Sequence, residues 1–394
     1  MKNPDVIILG AGAAGLMCAI EAGKRGRRVL VLDHANKVGK KILMSGGGRC
    51  NFTNYDIEPH HYLSNNPHFC KSALKRYSST DFIALVRQHQ IPYHEKSHGQ
   101  LFCDNKSVDI VNLLLAECEQ AKVMLRINTA ISEIKHHDVK GYEVTLANKE
   151  RLFCQSLVIA TGGLSIPTMG ATPFGYQIAS QFGLSVIPTR AGLVPFTLQP
   201  DDKERFAELS GIALSCEVEA AKQSFKLNML FTHRGLSGPA MLQISSYWQA
   251  GKPLTIDLDA DEQWSAQLLD YKKTSPRLHL KNCLEKFLPK KVIQAFVATE
   301  LLDTEMHRLS DKKLQDIIHL FRHWQIKPNG TEGYRTAEVT LGGVDTHHLS
   351  SQTMEVKTQP GLFFVGEVMD VSGWLGGYNF QWAWSSGWAA GQVV

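Results

Sequence analysis

Residues 6–33 read VIILGAGAAGLMCAIEAGKRGRRVLVLD, a run that few folds accept. Val6-Ile7-Ile8-Leu9 is apolar without alternation, as in a strand covered on both faces. It leads straight into Gly10-Ala11-Gly12-Ala13-Ala14-Gly15, the G-x-G-x-x-G pattern. Gly10 permits the tight turn, Gly12 lets the backbone approach a pyrophosphate, and Gly15 lets helix and strand pack closely. The pyrophosphate would then meet the unpaired N–H groups at the positive end of the following helix. A second apolar run, Val29 to Leu32, ends at Asp33 and His34. An acid at that strand end accepts a ribose hydroxyl and disfavours a 2′-phosphate. Strand, motif, helix, strand and acid in register predict a dinucleotide-binding βαβ unit; the bland alternative is a structural βαβ turn.

The far end of the chain chooses between FAD and NAD. Leu362 to Glu367 (LFFVGE) reads as a strand running into a Gly-acid step, followed by Gly376-Gly377-Tyr378-Asn379-Phe380-Gln381 and a terminal helix of tryptophans and small residues. A strand returning to the first βαβ unit would set Glu367 by a ribityl-phosphate and the last helix start by a flavin ring. Leu157 to Gly163 (LVIATGG) is another apolar strand ending in small residues, suited to skirting a flavin. SGGGRCNFTN (45–54) adds three successive glycines before a cation and a thiol.

Composition excludes other classes. The 394 residues are 43% apolar and 20% charged, ordinary for a globular enzyme, and the net charge of +4 announces no nucleic-acid partner by itself. None of the eight cysteines forms a C-x-x-C pair, so no metal site is expected and a reducing cytoplasm is. The uncharged run Val6–Ile20 falls short of the roughly 18 to 20 apolar residues of a membrane span. The charge is uneven, however: residues 271–330 carry twelve Lys/Arg against six Asp/Glu. Either this is a solvated helix face, or Lys290, Lys291, Lys312 and Lys313 track a phosphate backbone.

Taken together, GAGAAG (10–15), GKKILMSGGGRCNFTN (39–54), ATGGLSIP (160–167), LFTHRGLSGPA (230–240), AEVTLGGV (337–344) and the block 360–391 resemble the bacterial flavoproteins of the BaiN/RdsA family. The resemblance implies an α/β fold: a Rossmann-like FAD-binding domain of the two-dinucleotide-binding-domain flavoprotein type, with an inserted β-barrel-like domain and a helical subdomain. It implies a discontinuous FAD domain of 1–190 plus 330–394, a β-insert of 191–261 and a basic helical insert of 262–329. The cofactor contacts it implies are Gly10, Gly12, Ala13, Ala14, Gly15, Asp33, His34, Lys40, Lys41, Gly46, Gly47, Arg49, Cys50 and Asn51. Further along they are Ala130, Ala160, Thr161, Gly162, Gly366, Glu367, Asp370, Gly377, Asn379 and Phe380.

YLSNNPHFCKSAL (62–74), HEKSHGQLFC (94–103), GATPFGY (170–176) and KPNGTEGYRTAEVTLGGVD (327–345) resemble the branch that reduces a uridine of large-subunit ribosomal RNA to dihydrouridine. That reaction needs a hydride, a proton donor and a base exposed to the flavin. Cys50, its pKa lowered by Arg49, is the first candidate donor and His233 the second; Arg234 is placed to hold a phosphate or a uracil carbonyl. With no second G-x-G-x-x-G, NAD(P)H is expected only as a transient reductant. The competing readings are a flavin-dependent reductase or oxidase of a small molecule with an activated C=C or C–N bond, and a flavin-bound RNA-binding factor without turnover.

Overall fold

The computed structural model describes residues 3–394. They divide into two compact units, one formed by 3–191 with 338–394 and the other by 192–337.

The first unit is built on a five-stranded parallel sheet. Its βαβ start is β1 (Val6–Leu9), α1 (Ala13–Lys24) and β2 (Val29–Leu32), followed by α2 (Lys40–Met44), β3 (Met124–Arg126) and β4 (Ser156–Ile159). After the insert come β5 (Val339–Val344), β6 (Leu362–Phe364) and the terminal α3 (Tyr378–Gly391). The sheet order is β6-β4-β1-β2-β3, every pairing parallel, with Val6 opposite both Val29 and Ser156. All residues of β1, β2 and β4 are buried, which is why their sequences do not alternate.

α1 and α3 pack against each other through small residues. A Cβ on Gly387 would overlap the Ala14 carbonyl oxygen, and one on Gly391 would come within 2.9 Å of the Cys18 carbonyl. Two glycines four residues apart thus present one flat stripe that lets the helix backbones approach. Gly10 is held at φ +113°, and a Cβ there would run into the Ala160 carbonyl, so the first turn of the motif and the end of β4 are in contact through backbone alone.

The second unit is an antiparallel sheet with helices. Seven strands run in the order Trp324–Ile326, Leu254–Asp257, Ala213–Ala220, Gln223–Phe231, Gly235–Ser237, Phe196–Thr197, Gly330–Thr331. Ala213–Ala220 is buried at alternate positions, the pattern of a sheet with one covered face.

The pairing runs from Trp324–Ile326 at one edge to Gly330–Thr331 at the other. The helices within 262–329 are not a separate body: strands 324–326 and 330–331 return to the same sheet, and Phe206, Phe231, Phe296, Phe321 and Trp324 form one buried cluster with centroids 5.0–6.0 Å apart. The chain re-enters the first unit at 338, later than 330, because Gly330–Thr331 is still bonded to Phe196–Thr197.

Candidate dinucleotide and active site

The first turn of α1 has no side-chain cap. A Cβ on Gly12 would meet nothing within 4 Å, so the backbone at the helix entrance lies open to a ligand. Asp33 braces this turn: Oδ2 accepts the Ala11 N–H and Oδ1 the Ala35 N–H, both at 2.7 Å. Lone pairs remain on both oxygens for a ribose hydroxyl. His34 is exposed beside it, with Nδ1 3.7 Å from Asp33 Oδ1. Ala130, also exposed, joins this end of the sheet because Thr129 N–H donates to the Asp33 carbonyl (2.8 Å).

A second cluster gathers at the ends of β4 and β6. Lys41 Nζ lies 2.8 Å from both Glu367 Oε2 and Ser165 Oγ. Glu367 Oε1 accepts the Thr340 N–H at 2.9 Å and the Ser165 hydroxyl at 3.2 Å. Burial pushes the Glu367 carboxyl up, but the Lys41 charge and hydrogen bond, with backbone N–H groups, outweigh it and hold it below its ordinary value. Gly162, at φ +70°, passes over this carboxylate, and Ala160 is buried beside the Gly10 turn. Thr161 Oγ1 is buried without a hydrogen-bond partner. Lys40 is half-buried on the same short helix as Lys41.

The third cluster is built from SGGGRCNFTN. Gly46, Gly47 and Gly48 all adopt positive φ, and the space a Cβ on Gly47 or Gly48 would take is open. The strand Asn51–Asn54 is sewn to the start of α3. Thr53 Oγ1 donates to Gln381 Oε1 (2.6 Å), Asn54 Nδ2 to the Gly376 carbonyl (2.9 Å), and Trp384 Nε1 to the Phe52 carbonyl (2.9 Å). With the Asn51 amide nitrogen turned to the Leu101 and Thr53 carbonyls, its oxygen accepts the Gly377 N–H at 3.2 Å. Gly377 itself must be glycine, at φ +95° against the Thr53 backbone. Phe380 stacks on Trp384 at 5.6 Å. Arg49 is exposed on the loop.

Several candidates turn out to hold the protein's own backbone. Asn379 exchanges hydrogen bonds with Gly373 N–H and carbonyl (2.8 and 2.9 Å) and donates to the Trp374 carbonyl (3.2 Å). Asp370, 5% exposed, accepts the Asn65 N–H at 2.7 Å, and burial raises its carboxyl. Gly366, at φ +76°, donates to Ser386 Oγ, and a Cβ there would sit 2.8 Å from the Ala14 Cβ.

Cys50 requires a correction. It is 0% exposed, and burial pushes its thiol far above the ordinary range, with only the Ser45 hydrogen bond opposing. Arg49 points to solvent and does not lower it. A side chain presenting no surface to any cleft neither touches a dissociable ligand nor hands it a proton. Cys103 is buried alike, its thiol pushed up to about 12.

His233 and Arg234 belong to the second unit, on the turn closed by Thr232 and Gly235. Arg234 Nη1 is 3.4 Å from Glu332 Oε2. His233 is exposed at the lip of a recess of about 150 Å³ lined also by Leu198, Lys203, Phe206, Phe231 and Thr232. Lys290, Lys291, Lys312 and Lys313 are exposed; Lys291 lies 3.4 Å from Glu208, whereas the other three have no acidic partner among the described residues.

Sequence reasoning missed Ser165 and Thr340. The available signal was Thr340 itself, a hydroxyl between Val339 and Leu341 in an apolar strand; it is fully buried, with Oγ1 accepting the Leu164 and Ser165 N–H groups at 2.8 and 3.1 Å. Among the described residues no group of three His, Cys, Asp or Glu is arranged to hold a metal, and no helix is long and apolar enough to cross a membrane.

The parallel sheet, the uncapped α1 entrance, the open Gly12 and the buried, unpartnered Thr161 hydroxyl define a Rossmann-type dinucleotide-binding protein, and these residues fit such a cofactor. The chain belongs to the family described as HI0933-like protein Rossmann domain, whose model matches residues 4–393. It is 53% identical over 394 residues to the ribosomal RNA dihydrouridine synthase of Escherichia coli (strain K12), covering 100% of this chain and 98% of that protein. The enzyme of the same name from Haemophilus influenzae is 51% identical, covering 97% and 96%. A 3-dehydro-bile acid delta(4,6)-reductase of Clostridium scindens is 27% identical, covering 98% of each. Among solved structures, the 3-ketosteroid-delta4-(5alpha)-dehydrogenase of Rhodococcus jostii RHA1 superposes with a TM-score of 0.50 at 14% identity, covering 98% of this chain and 96% of that one, a likeness of fold alone.

Proposed function

We propose that this chain is a cytoplasmic FAD-dependent ribosomal RNA dihydrouridine synthase, reducing the C5=C6 bond of a uridine in large-subunit ribosomal RNA or its precursor. The observation that carries this reading is the full-length identity of 53% and 51% to two enzymes of that name. FAD, when bound, supplies the hydride, and a nicotinamide, NADH or NADPH, restores it in a transient encounter. The residues of the first unit have the means to hold it. The α1 entrance and Gly12 offer N–H groups to the pyrophosphate, and Asp33 orients the ribose. Gly47 and Gly48, with open space where a Cβ would stand, let backbone approach the ring, and Lys41 keeps Glu367 ionised.

In the second unit we assign Arg234 and His233 to RNA contact, together with Lys290, Lys291, Lys312 and Lys313 as phosphate partners. Its three tryptophans and most of its phenylalanines are buried in the core, which favours backbone tracking over base stacking. The deciding experiment is mass spectrometry of ribosomal RNA from a strain deleted for this chain. One uridine should lose the mass increment of two added hydrogens and regain it on complementation; an unchanged nucleoside profile would refute the reading. Reduction of a small steroidal enone by the purified protein, with ribosomal RNA untouched, would move it to the bile-acid reductase side of the family.

A further inference from the structure

Resting on that reading, we infer that the recess at His233 seats one unpaired pyrimidine of the RNA, with Lys203 on the phosphate of the same nucleotide. Every residue lining the recess belongs to the second unit. Its floor is Leu198, Phe206 and Phe231, none more than 6% exposed, the two ring centroids lying 5.7 Å apart. Its rim is Lys203, Ala207 and His233, all exposed. An apolar floor under a polar rim suits a flat ring whose edge carries hydrogen-bonding atoms.

Size sets the class of ring. An apolar cavity of about 150 Å³ accommodates a single six-membered ring, and this recess has about that volume, 150 Å³. A pyrimidine fills it, whereas the fused rings of a purine exceed it. The floor rings are nearly covered by their own neighbours, so the base enters between side chains and does not lie on an open aromatic platform. Phosphate tracking and a seated base are therefore compatible on one surface.

The rim is held in place yet unengaged. Thr232 Oγ1 accepts the Arg234 and Gly235 N–H groups at 3.3 and 3.0 Å, and the Thr232 N–H donates to the Gly235 carbonyl at 2.8 Å, which fixes the turn bearing His233. Among the described residues neither the His233 ring nor the Lys203 ammonium has a hydrogen-bond or ion-pair partner. The imidazole can give an N–H to a pyrimidine carbonyl, and the ammonium gives up to three to a phosphate. The surroundings continue the basic surface. Arg205 lies over the Phe206 ring at 5.0 Å, and the helix Lys290–Phe296 sets Phe296 against Phe206 with centroids 5.6 Å apart. The carboxylates nearest in sequence, Asp201, Asp202, Glu204 and Glu208, are absent from the lining, and Glu208 is 3.4 Å from Lys291.

The test measures binding of short single-stranded RNAs of equal length and charge to the full chain loaded with FAD. The strands are all uridine, all cytidine, all adenosine, and uridine interrupted by abasic sites. Uridine and cytidine strands should bind about tenfold tighter than the adenosine and abasic strands. A207F plugs the recess from an exposed position without changing charge, so it should erase that preference and leave the salt dependence of Kd unaltered. K203A should instead flatten the salt slope by about 0.7, the value of one phosphate on a single strand. H233A should narrow the preference about fivefold, for one lost hydrogen bond. Each variant is first shown to unfold at the wild-type Tm. Equal binding of uridine and abasic strands by wild type would overturn the inference, as would a folded A207F protein that keeps the preference. Should A207F fail to fold, an H233A protein with the full preference overturns it in the same way. A chain that prefers pyrimidine strands but never reduces ribosomal RNA refutes the functional reading and keeps the recess; one that reduces the RNA without any preference refutes the recess alone.

Discussion

Gly10→Ala puts a Cβ into the Ala160 carbonyl at φ +113°, so the protein should be destabilised by about 2–4 kcal/mol or fail to fold. Gly12, two residues on, has φ −91° and open space, so Gly12→Ala should keep the Tm of the cofactor-free protein while weakening FAD binding at least about tenfold. Calorimetry beside flavin titration checks both; equal loss of Tm in the two variants would contradict the assignment. Cys50→Ala gives the complementary result. Removing a buried sulfur should cost about 1 kcal/mol of stability and leave bound flavin and RNA reduction within a few-fold of wild type. A dead but folded Cys50→Ala enzyme would restore the thiol to the chemistry.

At the scale of elements, the α1–α3 pair sets two effects against each other. Gly387→Ala gains about 1 kcal/mol of helix propensity but forces a Cβ into the Ala14 carbonyl, an overpacking that costs about 1–3 kcal/mol and also moves the α1 entrance. The net expectation is a lower Tm with weaker flavin retention, whereas an exposed-glycine effect would raise Tm. The Lys41–Glu367 pair ties α2 to the turn after β6. Because the Glu367 carboxyl is held below its ordinary value, its contribution is present above about pH 4.5 and vanishes as pH falls through the lower folded value. Lys41→Met should therefore lower stability at pH 7 by about 1–3 kcal/mol, with Lys41 a third exposed and the pair partly screened, and the deficit should shrink in acid. Chemical denaturation across pH measures it.

For the molecule as a whole, the uneven charge predicts a division of labour. Reversing Lys290, Lys291, Lys312 and Lys313 to glutamate should weaken RNA binding and make its salt dependence shallower, by about one unit of slope for each phosphate no longer neutralised. Flavin binding, carried by the other unit, should stay unchanged; an unaltered salt slope would return these lysines to a plain solvated face. The basic helices are visible in sequence, but their merger with the β-strands is not. Strands of two or three residues such as Trp324–Ile326 and Gly330–Thr331 carry too little pattern to be read, and only pairing with distant partners makes them strands.

The nucleotide half of the site is legible in the order of residues because backbone geometry demands it: a turn against β4, an approach at Gly12 and a close helix contact each require a missing Cβ. Those demands are local, and a linear motif records them. What surrounds a side chain is not local. Cys50 follows a cation in sequence yet faces inward, where burial raises its thiol. Ser165, Thr340, Lys41 and Glu367 come from four distant segments, and the hydrogen bonds that join them exist only once the sheet has formed. The sequence alone determined the fold class and the cofactor-binding turn. Tertiary structure decided which ionisable groups are walled off and which can exchange a proton, because desolvation depends on neighbours that chain order does not reveal.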